Sequence, residues 1–155
     1  MSVNTKKLII LKDKIAAPVF EKYAQLVLTI SHLEWFLQEV LIFIILKTQF
    51  DQSNKSHVVL ADFISKSSFD KKIELIKQNN LLSEELMAKL DIIRSRRNIF
   101  IHGIILEEDG TLVIKIIHRN LQEKFTEKNI FDFLDFVEKT GGELIIQFES
   151  QGFKL

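Results

Sequence analysis

Cysteine is missing from the 155 residues, which excludes disulfides, a thiol nucleophile and cysteine-ligated zinc. One proline and five glycines leave little to interrupt long helices. Charge of one sign is not in excess: 21 basic and 21 acidic residues cancel, so no wholesale basic surface for nucleic acid is expected. There is no glycine-rich phosphate loop, and His57 and His118 have no metal-ligand spacing, so neither triphosphate hydrolysis nor a metal site is supported. The longest apolar run, Val40 to Leu46, has seven residues, against the ~20 that span a bilayer. Leu8-Ile9-Ile10-Leu11 is too short for a signal-peptide core. A cytoplasmic protein with no membrane segment is the expectation.

What is present reads as one globular domain over 1–155, mainly α, with enough apolar residues (46%) to bury a core. Pro18 suits the first turn of a long helix running from Val19 to Lys47. At 100° per residue, Tyr23, Val27, Ile30, Glu34, Leu37, Leu41 and Ile44 form one stripe, and Leu28, Trp35, Ile42 and Leu46 form a second. A helix apolar on two sides predicts a core on one and a partner subunit on the other. After a polar linker, Asp51 to Ser56, a short helix is expected around Val58 to Ser65. Ser68 can cap a helix from Phe69 to about Gln78, and Ser83 one that runs to about Ile101, with Gly103 as its stop. The β-branched runs Ile104 to Leu106 and Leu112 to Ile117, around Glu107-Glu108-Asp109-Gly110, predict a hairpin. Thr126 can cap a last helix whose stripe, Ile130 to Phe148, passes through Gly141-Gly142. The architecture expected is an antiparallel helical bundle with a small β-hairpin between the last two helices.

The local anomaly is arginine. Only four occur, and three fall within four residues: Arg94, Arg96 and Arg97. Arginine is the side chain of bidentate phosphate contact, so Arg94 and Arg96 are candidate substrate-binding residues. Arg97 sits inside the apolar stripe Leu86, Leu90, Ile93, Phe100 and Ile101, where a guanidinium is expensive unless paired or placed at a working cleft. Glu34 holds the matching position on the long helix. The two predict a salt bridge, either a structural pair or a support for a site. Asn98 and His102, four apart, share a helix face, whereas Arg97 and His102 are about 140° apart by ideal geometry.

Arg97-Asn98-Ile99-Phe100-Ile101-His102 resembles the arginine, polar residue, spacer and histidine motif of the HEPN (higher eukaryotes and prokaryotes nucleotide-binding) superfamily. The resemblance implies a helical homodimer acting on RNA as an endoribonuclease without metal or cofactor, with two motifs facing one cleft. It assigns His102 as general acid or base, Arg97 as stabiliser of charge on the phosphate, and Asn98 as the residue orienting one or the other. It also implies a bacterial toxin or antiviral role, with an antitoxin or regulatory protein as a further partner. Toxins paired with a nucleotidyltransferase antitoxin carry a tyrosine two residues after the histidine; Ile104 stands there, which argues against that subgroup. The alternatives are a noncatalytic dimer of the same type binding RNA, a nucleotide or a protein, and a helical interaction domain in which the motif is coincidence.

Overall fold

The computed structural model describes residues 15–47 and 50–154, so the Leu8 to Leu11 run lies outside the described residues. Among those residues the chain is mainly helical, with a small antiparallel sheet. Among the described residues there are five α-helices: α1 (Ala17–Leu46), α2 (Lys55–Lys66), α3 (Phe69–Gln78), α4 (Glu84–His102) and α5 (Glu127–Ser150). Strands β1 (Ile104–Glu108), β2 (Thr111–Ile116) and β3 (Leu121–Lys124) lie between α4 and α5, with a 3-10 turn at Ile117–Arg119.

The caps are the ones the sequence offers. Ser68 Oγ accepts from the Lys71 amide at 3.2 Å, Ser83 Oγ from Leu86 at 3.3 Å and Thr126 Oγ1 from Asn129 at 3.2 Å. The helix expected at Val58 starts three residues earlier, because Asn54 caps it by accepting from the Ser56 amide at 3.0 Å. The expected hairpin is β1–β2, turned by Asp109 and Gly110, both at positive φ (51° and 77°), the turn that matches strand twist. It is enlarged to three strands: β3 pairs antiparallel with β2, from Val113 opposite Lys124 to Ile116 opposite Leu121.

The chain divides into two compact units. One comprises Met1–Thr29 with Ser95–Val137, the other Ile30–Arg94 with Glu138–Leu155. In the first, Phe100 stacks on Phe133 with centroids 5.5 Å apart, and Tyr23 meets Phe125 edge-on at 5.3 Å. Val113, Ile114 and Ile116 of β2 are buried in the same unit. In the second, Phe36 packs on Phe148 and Phe153, and Phe43 on Phe153. There Lys72 is 3% exposed, with its Nζ 3.1 Å from Glu34 Oε1. Glu34 thus has an ion-pair partner on α3 that the sequence reading did not name.

The second apolar side of α1 divides along its length. Leu28 and Trp35 are 60% and 58% exposed, whereas Ile42 is buried and Leu46 half-buried. By length and composition α1 is the one helix among the described residues apolar enough to cross a membrane. The uninterrupted run is seven residues, but a membrane-length stretch of the helix stays apolar because only Glu34 and Glu39 interrupt residues 23 to 46 with charge.

Candidate functional site

The three motif residues lie on the last two turns of α4, within the first unit. Arg97 Nη1 donates to Asn98 Oδ1 at 3.1 Å and lies 3.3 Å from His102 Nε2. The 140° separation is closed by side-chain reach. His102 is the last residue of the helix, its Cα–Cβ bond tilts back along the axis, and arginine is long enough to wrap toward it. Asn98, expected to orient the histidine or a phosphate, is bonded to the arginine. Arg97 and Asn98 are half-buried and His102 is exposed, so the cluster opens to solvent on its imidazole side.

An arginine nitrogen can only donate, so the contact with Nε2 uses the imidazole lone pair. As a hydrogen bond the contact requires the tautomer that carries its proton on Nδ1. The arrangement therefore presents a proton acceptor and a fixed cation to the same small volume, the two functions that transfer at a phosphate diester needs.

Two backbone features hold the helix end. Tyr23 donates from its hydroxyl to the Phe100 carbonyl at 2.7 Å, satisfying one of the last-turn carbonyls that a helix leaves open. Burial pushes the Tyr23 phenol above the usual tyrosine range. Gly103 donates to Ile99 O at 2.8 Å. Its φ is not positive, so it does not end the helix as a left-handed cap; glycine is needed for space. A Cβ there would stand 2.3 Å from Ile99 O and 2.6 Å from Ile114 Cγ1.

The neighbouring arginines do different things. Arg96 Nε and Nη2 donate to the two carboxylate oxygens of Glu123 at 2.7 and 3.1 Å, and its guanidinium lies 4.2 Å over the Phe133 ring. Arg94 lies in the second unit, paired with Asp91 at 2.9 Å. With Ser68, Lys71, Glu74 and Lys77 it lines a cleft of about 650 Å³ between α3 and α4. In that cleft the hydrogen bond from Lys71 holds the Glu74 carboxyl below the usual carboxylate range. Arg94 and Arg96 are thus each engaged by an acid, and only Arg97 of the three touches His102.

No three histidine or carboxylate side chains converge as a metal would need among the described residues. Tyr23 holds the Phe100 carbonyl, Glu123 and Asn129 hold Arg96, and none of the three was singled out by sequence as a site residue. Tyr23 reads as one more apolar-stripe residue, and Glu123 falls in a stretch with no strand alternation. The available signal was arithmetic: two adjacent arginines on a half-buried helix face require acids from elsewhere. No protein-family model matches the sequence, and no curated protein or solved structure matches the chain.

Proposed function

We propose that the chain is an endoribonuclease of the HEPN type, built as an antiparallel helical bundle and acting as a homodimer without metal or cofactor. The observation that supports this most is the meeting of Arg97 Nη1 with both Asn98 Oδ1 and His102 Nε2. In this reading His102 Nε2 takes the proton from an RNA 2′-hydroxyl as that oxygen attacks the adjacent phosphorus. Arg97 leaves the imidazole lone pair and donates to the phosphate oxygens as negative charge gathers on them. The bond to the 5′-oxygen breaks, and that oxygen takes a proton from the histidine of the second motif in the cleft. The products are a 2′,3′-cyclic phosphate and a 5′-hydroxyl. The exposed Leu28 and Trp35 supply apolar surface for the second copy. The proposed setting is cytoplasmic, as a bacterial toxin or antiviral effector with an antitoxin or regulatory protein as a further partner.

The test is cleavage of labelled RNA in excess chelator by the full chain and by its His102→Ala and Arg97→Ala variants. Loss of about 10²–10⁴-fold in rate is expected for His102→Ala, with folding nearly intact because the ring is exposed. Arg97→Ala should lose rate and stability together, since its Nε is buried. His102→Ala cleaving as fast as the parent would overturn the reading. Salt-sensitive RNA binding without cleavage would move the chain to the noncatalytic alternative.

A further inference from the structure

The β1–β2 ladder runs from Glu108 opposite Thr111 to Ile104 opposite Lys115, and the β2–β3 ladder ends with Ile116 opposite Leu121. Residues 117–120 therefore turn beyond the last rung, at the end of the sheet where α4 hands over to β1. Gly103 lies against that end of β2: a Cβ built on it would stand 3.2 Å from the Lys115 amide nitrogen. Neighbouring strands are about 4.8 Å apart, so the turn begins about one strand spacing from the residue that follows His102. All of these elements belong to the first unit. The turn is held on both sides. Ile116 is buried ahead of it, and Asn120 closes it in the left-handed conformation (φ 51°), its amide donating to the Ile117 carbonyl at 3.2 Å. Behind it, Arg96 Nε and Nη2 donate to the Glu123 carboxylate at 2.7 and 3.1 Å, which ties β3 to α4.

This turn carries the fourth arginine. Arg119 is exposed, with His118 and Asn120 exposed beside it. No acid occurs between Asp109 and Glu123 in the sequence. Glu123 is engaged by Arg96 and by Asn129 Nδ2, and Glu108 by Lys115 at 3.2 Å. Asp109 belongs to the hairpin turn at the opposite end of β2. None of these three acids is left to neutralise Arg119.

We propose that Arg119 is a phosphate ligand for single-stranded RNA, holding a phosphodiester of the strand beside the one that meets Arg97 and His102. The inference rests on the nuclease reading for its kinetic consequence, while the binding it describes can be measured without cleavage. A guanidinium offers a fixed fork of donors to phosphate oxygens, and its charge persists at every working pH. Arg119 thus takes the role that the sequence suggested for Arg96, whose donors are spent on Glu123. A phosphate away from the reacting bond carries the same charge before and during the reaction. Arg119 therefore binds substrate and transition state alike, and its loss is read in KM and not in kcat.

The experiment measures anisotropy of a fluorescein-labelled, mixed-sequence RNA of 12 nucleotides over a salt series in excess chelator. It uses the full chain carrying His102→Ala, so that the strand stays whole. Arg119→Gln is compared with Lys66→Gln, which makes the same charge change on α2, and with Arg119→Lys. Arg119→Gln should lower the salt slope by about 0.7, the value for one phosphate of a single strand, and Arg119→Lys should keep most of it. In the chain with His102 intact, Arg119→Gln should raise KM about 3–10-fold with kcat changed by less than about twofold. A slope and KM that match those of Lys66→Gln would overturn the proposal, leaving a solvated surface charge. A kcat that falls further than KM rises would overturn it too, by placing the contact at the reacting phosphate. If the parent binds RNA without cleaving it, the slope decides alone: a fall keeps the ligand while the nuclease reading is lost. No binding by the parent even at low salt removes both.

Discussion

The Tyr23 hydroxyl donates to the Phe100 carbonyl at 2.7 Å, tying the first half of α1 to the last turn of α4 two residues before His102. Removing that oxygen in Tyr23→Phe leaves a carbonyl without its donor while keeping the ring contact with Phe125. The expected loss is about 1 kcal/mol of stability in urea unfolding. Burial raises the phenol's pKa in the folded chain, so the native state binds this proton more tightly than the unfolded state does. The contribution is complete below about pH 10, the ordinary tyrosine value, and is lost as pH rises through the higher folded value. Since the sequence has one tyrosine, tyrosinate absorbance reports this group alone. Stability that declines with the same alkaline profile in Tyr23→Phe would count against the assignment.

Gly103→Ala should destabilise the chain by about 1–3 kcal/mol, the usual penalty for overfilling a packed site. The new methyl would stand 2.3 Å from a backbone oxygen, which cannot swing aside as a side chain can. Gly110→Ala provides the contrast. There the space is open, and the cost comes from φ of +77° alone, roughly 1 kcal/mol. Denaturant midpoints of the two variants separate a steric cause from a conformational one, and equal losses would reject the distinction.

Lys72→Met should be destabilising although it replaces a charge with an apolar side chain in a 3%-exposed site. The change removes the ammonium beside Glu34. The expected loss is about 2–3 kcal/mol, less than for a fully buried pair because Glu34 is 26% exposed. Adding Glu34→Gln should return part of it. A double variant no more stable than Lys72→Met would show that the carboxylate draws its support from other groups.

Trp35 is the sole tryptophan and is 58% exposed on α1. If a second copy covers it, diluting the protein through the dimer dissociation range should shift its emission to longer wavelength as water reaches the indole. Leu28→Lys, two turns earlier on the same face of α1, should give a monomer by sedimentation. A monomer at every concentration in the parent would remove the composite cleft.

How much of this was legible in the sequence depended on whether the signal was local. Ser68, Ser83 and Thr126 announced their helices because a capping hydroxyl acts within three residues. Asp109-Gly110 announced its turn because both positions need positive φ. The continuation of α5 through Gly141-Gly142 followed from period alone, and no neighbouring atom lies within 4 Å of a Cβ built at either. What was not legible depends on distant parts of the chain. β3 is four residues with three of them polar, and it is a strand only because β2 offers an edge. Leu28, Trp35 and Ile42 share a phase, but burial differs because a 30-residue helix meets different neighbours along its length. The angle between Arg97 and His102 left it open whether the arginine reaches round, since helical phase locates Cα atoms and not the tips of side chains.

A single residue stands between His102 at the end of α4 and Ile104 at the start of β1. With no slack in that joint, the imidazole inherits the position of the strand. Two or three residues inserted there would remove that covalent restraint and leave the Arg96–Glu123 pair as a link between helix and sheet.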